Sequence, residues 1–241
     1  MSAGDPDAVP ARTGGTGPHA SQRLATAGPS LAHARLVTVM LHGRGAGADD
    51  MLGLAAHLAV PDVAVLAPEA AGRSWWPGSF LEPLSVNGVG LGSGLSVVTD
   101  LLDRLARAGF GPERTVLVGF SQGACLALEV AARLSRPFRA VAGLSGGLVG
   151  TDEAGGPPLD ALYGRPDKTF DYGGRLDRVP VLLGCHERDP HIPLARVART
   201  AEVLGEMGAS VETMVLPGAG HGIVAEEAAW LRGHLNTVIR P

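Results

Sequence analysis

Gly119-Phe120-Ser121-Gln122-Gly123 sets a serine between two glycines. The apolar run Thr115-Val116-Leu117-Val118 precedes it, and apolar residues at helical spacing follow from Ala124 to Leu134. Strand, sharp turn and helix in that order lift the Ser121 hydroxyl above a sheet, within reach of a base. Glycines are needed because a Cβ on either neighbour would collide inside the turn. A serine hydroxyl is a weak nucleophile at neutral pH, so the chemistry needs a histidine to take its proton and a carboxylate to orient that histidine. In a strand–helix alternation these partners follow the serine as Asp or Glu and then His, each on a loop after a strand. Asp189 follows the strand ending near Cys185, and His221 follows the strand ending near Leu216. Ser121, Asp189 and His221 are the expected catalytic set for acyl transfer.

Attack on an acyl carbonyl places negative charge on oxygen, and two N–H donors should await it. One is the N–H of Gln122 at the helix start. The other is expected from His42-Gly43-Arg44-Gly45-Ala46-Gly47, which follows the strand Leu36 to Leu41, with Arg44 as donor and Gly43 allowing close approach of a substrate. This loop lacks the lysine and the spacing of a phosphate loop. His42 precedes the serine in the chain and reads as a brace for the loop. A second G-x-S-x-G, Gly143-Leu144-Ser145-Gly146-Gly147, runs into a Gly- and Pro-rich stretch that cannot start a helix. His186, Glu187 and His191 have H-E-x-x-x-H spacing interrupted by Pro190, so no metal is expected, and no cofactor. His191 is expected to line the pocket or to brace the Asp189 loop. Cys125 and Cys185 read as small buried hydrophobes. Trp75 and Trp76, on a long loop leaving a strand, are expected either as an aromatic wall for substrate or as core beneath that loop.

The elements that must hold these residues alternate between strand and helix, the pattern of a parallel sheet covered on both faces. The chain of 241 residues suits one domain, assigned to residues 21–241. Residues 1–20, rich in Gly, Pro, Ser, Thr and Ala, are expected as a disordered tail. An edge strand is expected over Arg23 to Ala27, helices from Asp49 to Leu58 and from Leu95 to Ala108, and a long connection from Pro68 to Gly94. Gly150 to Leu176 is long for a loop and is either a mobile flap or an ornament. A net charge of −4 without a basic cluster argues against nucleic acid and anionic membranes. No apolar run reaches the roughly 18 residues of a membrane span, and the first residues lack the features of a signal peptide. A cytoplasmic address is the expectation.

Leu41-His42-Gly43-Arg44-Gly45, Gly119-Phe120-Ser121-Gln122-Gly123-Ala124, Asp189-Pro190-His191-Ile192-Pro193 and Gly220-His221 together resemble the phospholipase/carboxylesterase group of α/β-hydrolases, which includes acyl-protein thioesterases. Arg44 and the Trp75-Trp76-Pro77 segment are similar to a bacterial carboxylesterase branch. The resemblance implies an α/β-hydrolase fold without a separate lid domain. It also implies a triad of Ser121, Asp189 and His221, and oxyanion donors at Arg44 and Gln122. The expected activity is cofactor-free hydrolysis of short- to medium-chain carboxylic esters through an acyl-enzyme. A thioesterase or lysophospholipase using the same residues is the alternative, and a non-catalytic small-molecule receptor is the reading from another class. Monomer and homodimer both remain open.

Overall fold

The central strands are apolar on both faces because both are covered. The computed structural model describes residues 11–236. Its strands are β1 (Leu24–Ala27), β2 (Leu36–Leu41), β3 (Val63–Pro68), β4 (Thr115–Phe120), β5 (Ala140–Leu144), β6 (Pro180–Arg188) and β7 (Ser210–Ala219). Its α-helices are α1 (Ala48–Leu58), α2 (Leu84–Arg107), α3 (Gln122–Leu134), α4 (Leu194–Glu206) and α5 (Ala225–Asn236). They form one sheet in the order β1-β3-β2-β4-β5-β6-β7, parallel except for the β1–β3 pair. Successive strand side chains point to opposite faces. Val37, Val39 and Leu41 of β2 therefore join the core under α2, α3 and α4, while Leu36 and Met40 join the core under α1 and α5. No separate lid domain is present among the described residues, and none of their helices is long and apolar enough to cross a membrane.

The chain leaves β2 toward β3 on one side and leaves β4 toward β5 on the other. Such a reversal opens a crevice at the C-terminal ends of the two strands, the usual ligand position in an open α/β sheet. The loops carrying Gly43 and Ser121 leave the sheet at that point.

Two expectations need correction. Helix α2 begins at Leu84 rather than Leu95, so Gly88, Gly90, Gly92 and Gly94 are helical. The low helix propensity of glycine is overridden by packing. A Cβ on Gly90 would lie 2.4 Å from the Trp75 carbonyl oxygen and 2.9 Å from Trp76 Cα, so only glycine lets the tryptophan loop settle on the helix.

The second correction concerns the expected tail over residues 1–20. Residues 1–10 lie outside the described residues, but the chain from Arg12 onward is packed on the domain. Thr13 and His19 are buried. The Ser93 hydroxyl of α2 accepts the His19 N–H at 2.9 Å and donates to the Thr16 carbonyl at 2.7 Å. His19 Nδ1 accepts the Ala71 N–H at 3.1 Å, which leaves Nε2 to donate to the Trp75 carbonyl at 2.8 Å. A composition typical of disorder is held here by partners 52 to 77 residues away in sequence. Each such bond contributes about 1 kcal/mol. A chain starting at Ser21 is expected to melt roughly 5 °C lower or more. An unchanged melting temperature by scanning calorimetry would show that the arm contributes nothing to stability.

Candidate active site

Ser121 is the hinge residue between β4 and α3, at φ 54° and ψ −118°. A left-handed φ on a non-glycine residue costs on the order of 1–3 kcal/mol and persists only where its surroundings impose it. The glycines of the motif allow those surroundings. A Cβ on Gly123 would stand 2.1 Å from the Leu41 carbonyl oxygen, and one on Gly119 would stand 2.1 Å from the Gly123 carbonyl oxygen. The start of α3 thus lies directly against the end of β2. The serine that results is half-buried at the base of a cleft of about 430 Å³.

The three residues expected to act together converge. His221 Nε2 lies 2.9 Å from Ser121 Oγ, and His221 Nδ1 lies 2.7 Å from Asp189 Oδ2. A carboxylate only accepts, so Nδ1 carries the imidazole proton and Nε2 is free to accept from the serine hydroxyl. The Asp189 side chain has no exposed surface. Its second oxygen, Oδ1, accepts the N–H groups of His191 at 2.8 Å and Ile192 at 3.1 Å. Tyr163 donates to the Asp189 carbonyl at 2.7 Å. The His221 ring is flanked by Phe120 and His191, with centroids 5.1 and 4.9 Å away. His191 lines the cleft, and its N–H is one of the two that the Asp189 carboxylate accepts.

Gly43, Arg44 and Gln122 also line the cleft. Gln122 opens α3, so its N–H has no intrahelical acceptor. Among the described residues neither this N–H nor that of Arg44 finds a protein acceptor. His42 is fully buried behind the loop, where its Nε2 accepts the Ala70 N–H at 3.0 Å and its Nδ1 donates to the Gly43 carbonyl at 2.8 Å. Burial lowers its pKa from 6.5, since the charged ring would lack solvent.

The tryptophans part company. Trp76 lines the cleft, but Trp75 does not, and its expectation as a substrate contact is corrected. Its ring has no exposed surface and donates from Nε1 to the His42 carbonyl at 2.9 Å. The two rings face different ways from one irregular loop, so the pair does not share one role.

The sequence reading missed Phe80, Phe120 and Ile192, all of which line the cleft, and the part played by the Gln122 side chain. Gln122 Oε1 accepts the Trp75 N–H at 2.8 Å and its Nε2 donates to the Trp76 carbonyl at 2.8 Å. The available signal was a polar residue opening a helix whose next residues, Gly123 to Leu128, carry no polar side chain larger than a thiol. Ser145 of the second motif is buried and leads into no helix. Cys125 sits at the cleft floor without exposed surface, and burial pushes its thiol up to about 12. Among the described residues no three His, Cys, Asp or Glu side chains gather as a metal set.

The family model described as phospholipase/carboxylesterase matches residues 24–157. That stretch holds the Gly43 loop and the Ser121 elbow but ends before Asp189 and His221. The chain is 29% identical over 142 residues to acyl-protein thioesterase 1 of Gibberella zeae, covering 59% of this chain and 55% of that protein. It thus spans little more than half the length of that relative. A phospholipase/carboxylesterase from Dyadobacter fermentans has a crystal structure that superposes with a TM-score of 0.79 at 31% identity, over 90% of this chain and 97% of that one. The crystal structure of esterase PE8 superposes with a TM-score of 0.63 at 25% identity, over 88% and 96%.

A buried neutral histidine makes the loop sensitive to acid. With its folded pKa below the unfolded value of 6.5, His42 contributes stability that is complete above that value and declines as the pH falls through it. The melting temperature is expected to drop more steeply between pH 7 and pH 5 in the native chain than in His42→Gln. Parallel pH profiles of the two proteins would refute this role.

Proposed function

Because the chain belongs to the phospholipase/carboxylesterase family of hydrolases, we propose that it is a serine carboxylesterase acting on short- to medium-chain esters through an acyl-enzyme. The observation that carries this reading is the continuous hydrogen-bonded line from Ser121 Oγ through His221 to buried Asp189. In the proposed reaction Ser121 Oγ attacks the ester carbonyl carbon while His221 Nε2 takes its proton. Asp189 holds the ring in the required tautomer and offsets the imidazolium charge. The N–H groups of Arg44 and Gln122 receive the oxyanion, each such donor being worth roughly 3 kcal/mol in the transition state. Collapse of the tetrahedral adduct expels the alcohol, which leaves with the proton from His221. Water then enters by the same base and releases the acid.

The cleft favours small acyl groups. Its volume is about 430 Å³, and Trp76, Phe80, Phe120 and Ile192 give it apolar walls. Such walls discriminate one methylene by only about 1–3 kcal/mol, so preference should be graded. p-Nitrophenyl acetate to hexanoate are expected to outrun the palmitate, and a palmitate optimum would overturn the size reading. The likeness to acyl-protein thioesterase 1 favours thioesters as a second reading. An oxygen ester and a thioester of one acyl chain, compared by kcat/KM, separate the two.

Ser121→Ala is expected to abolish both ester hydrolysis and labelling by a fluorophosphonate probe, read by intact mass, whereas Ser145→Ala should still label. Asp189→Asn, which would hold His221 in the wrong tautomer, is expected to lower kcat by about 10⁴ without unfolding the chain. Labelling that survives in Ser121→Ala would sink the assignment. Near-native turnover in Asp189→Asn would move the acid elsewhere, with Glu187 first in line.

A further inference from the structure

Arg44 has a charge that its own contacts do not use. Its guanidinium donates from Nη1 to the Pro77 carbonyl and from Nη2 to the Gly78 carbonyl, tying the Gly43 loop to the opposite lip of the cleft. Both acceptors are neutral, so they fix the plane of the fork and leave its charge uncompensated. A guanidinium has five N–H donors, and two are spent here. The carboxylates around the loop are engaged elsewhere. Asp50 Oδ2 accepts the Gly47 N–H at 2.7 Å, and Glu69 Oε2 accepts the Ala48 N–H at 3.2 Å and lies 3.8 Å from Arg23. Glu82 packs beside Gly78, but both of its oxygens are held by the Arg165 fork. No described carboxylate pairs with Arg44, and none lines the cleft, where Arg44 is the one permanently charged side chain among the described residues.

The position of this charge matters as much as its freedom. A Cβ on Gly43 would lie 3.2 Å from Ser121 Cβ, so Arg44 is one residue beyond direct contact with the serine. A small ester seated on Ser121 would share its cleft with this pre-oriented, solvent-exposed guanidinium. That fork matches a carboxylate in shape and charge. It would also offset the repulsion between a substrate anion and the developing oxyanion, a repulsion that otherwise slows hydrolysis of charged esters.

We infer that the cleft selects esters bearing a carboxylate, in either the acyl or the alcohol part, through the Arg44 guanidinium. The inference rests on the ester-hydrolase reading of the same site.

The test compares kcat/KM within two matched pairs. Mono-p-nitrophenyl adipate against p-nitrophenyl hexanoate places the charge on the acyl side. 3-Acetoxybenzoate against 3-methylphenyl acetate places it on the alcohol side. In the native chain at least one anionic ester is expected to be preferred over its neutral partner by about tenfold or more. The preference should shrink as sodium chloride is raised. It should collapse in Arg44→Met and survive in part in Arg44→Lys. Taking the ratio within each protein cancels damage to the loop, which would lower both rates together. A native chain with no anionic preference in either pair, or an unchanged ratio in Arg44→Met, overturns the inference. Neutral esters hydrolysed without that preference sink this inference alone. A chain that turns over no ester and takes no fluorophosphonate on Ser121 loses the ester-hydrolase reading as well.

Discussion

The close approach of α3 to the end of β2 is the constraint from which the site follows. Gly123 puts helix backbone against the carbonyl of Leu41, a distance that no side chain would permit. Ser121 must then turn the chain in one step, and its left-handed φ is the cost. The surrounding structure can sustain that cost because α3 is packed on nearly every side, with each residue from Gln122 to Ala132 buried. The Ser121 N–H is also fixed, donating to the Leu144 carbonyl at 2.9 Å. A helix amphipathic in the usual way could tilt to relieve the strain. This one has no free face along which to move.

The cleft walls are held from behind by polar atoms that never reach solvent. Gln122 grips the backbone of Trp75 and Trp76, Trp75 Nε1 grips the His42 carbonyl, and His42 grips both Ala70 and Gly43. The loops after β2 and β3 are thereby joined to the first residue of α3 by one chain of hydrogen bonds. In a low-dielectric interior such a chain is strong when complete, and an unpaired member is costly. Geometry at Ser121 is therefore coupled to residues that no substrate touches. The arm at residues 12–20 extends the same chain, since His19 binds the carbonyl of Trp75.

What was legible in the sequence was local or tied to strand ends. The G-x-S-x-G elbow announces itself because its glycines, strand and helix are contiguous, and Asp189 and His221 are marked by the strands just before them. The edge strand β1 and the alternation of strand and helix were readable for the same reason. Three features were not. The first turns of α2 carry four glycines that propensity assigns to a loop, and only contact with the tryptophan loop makes them helical. The arm at residues 12–20 has the composition of a tail, and its partners are distant in sequence. The separate fates of Trp75 and Trp76 depend on which way each faces, and no spacing rule reports that in an irregular loop.

The long segment between β5 and β6 was read as either flap or ornament, and its contacts support neither. None of its residues from 150 to 176 lines the cleft, so it does not cover the serine. It is instead fastened to the buried side of the serine's own helix. Glu129 of α3 has no exposed surface, yet its Oε1 accepts the N–H of Val149 and the hydroxyl of Tyr172, each at 2.8 Å, and its Oε2 meets Arg133 at 2.7 Å. Buried Arg196 of α4 donates to the Leu148 and Gly150 carbonyls. A buried carboxylate without these partners would be strongly destabilising, whereas a fully bonded one fixes where each partner must lie. From that anchor the segment runs outward to Tyr163, whose hydroxyl holds the Asp189 carbonyl. It gives the helix that starts at Ser121 a second link to the loop that supplies Asp189, besides the one through His221. A strap on the acid's outer side explains its length better than a lid would, because the loop it holds must keep a buried carboxylate within 2.7 Å of a partly exposed histidine.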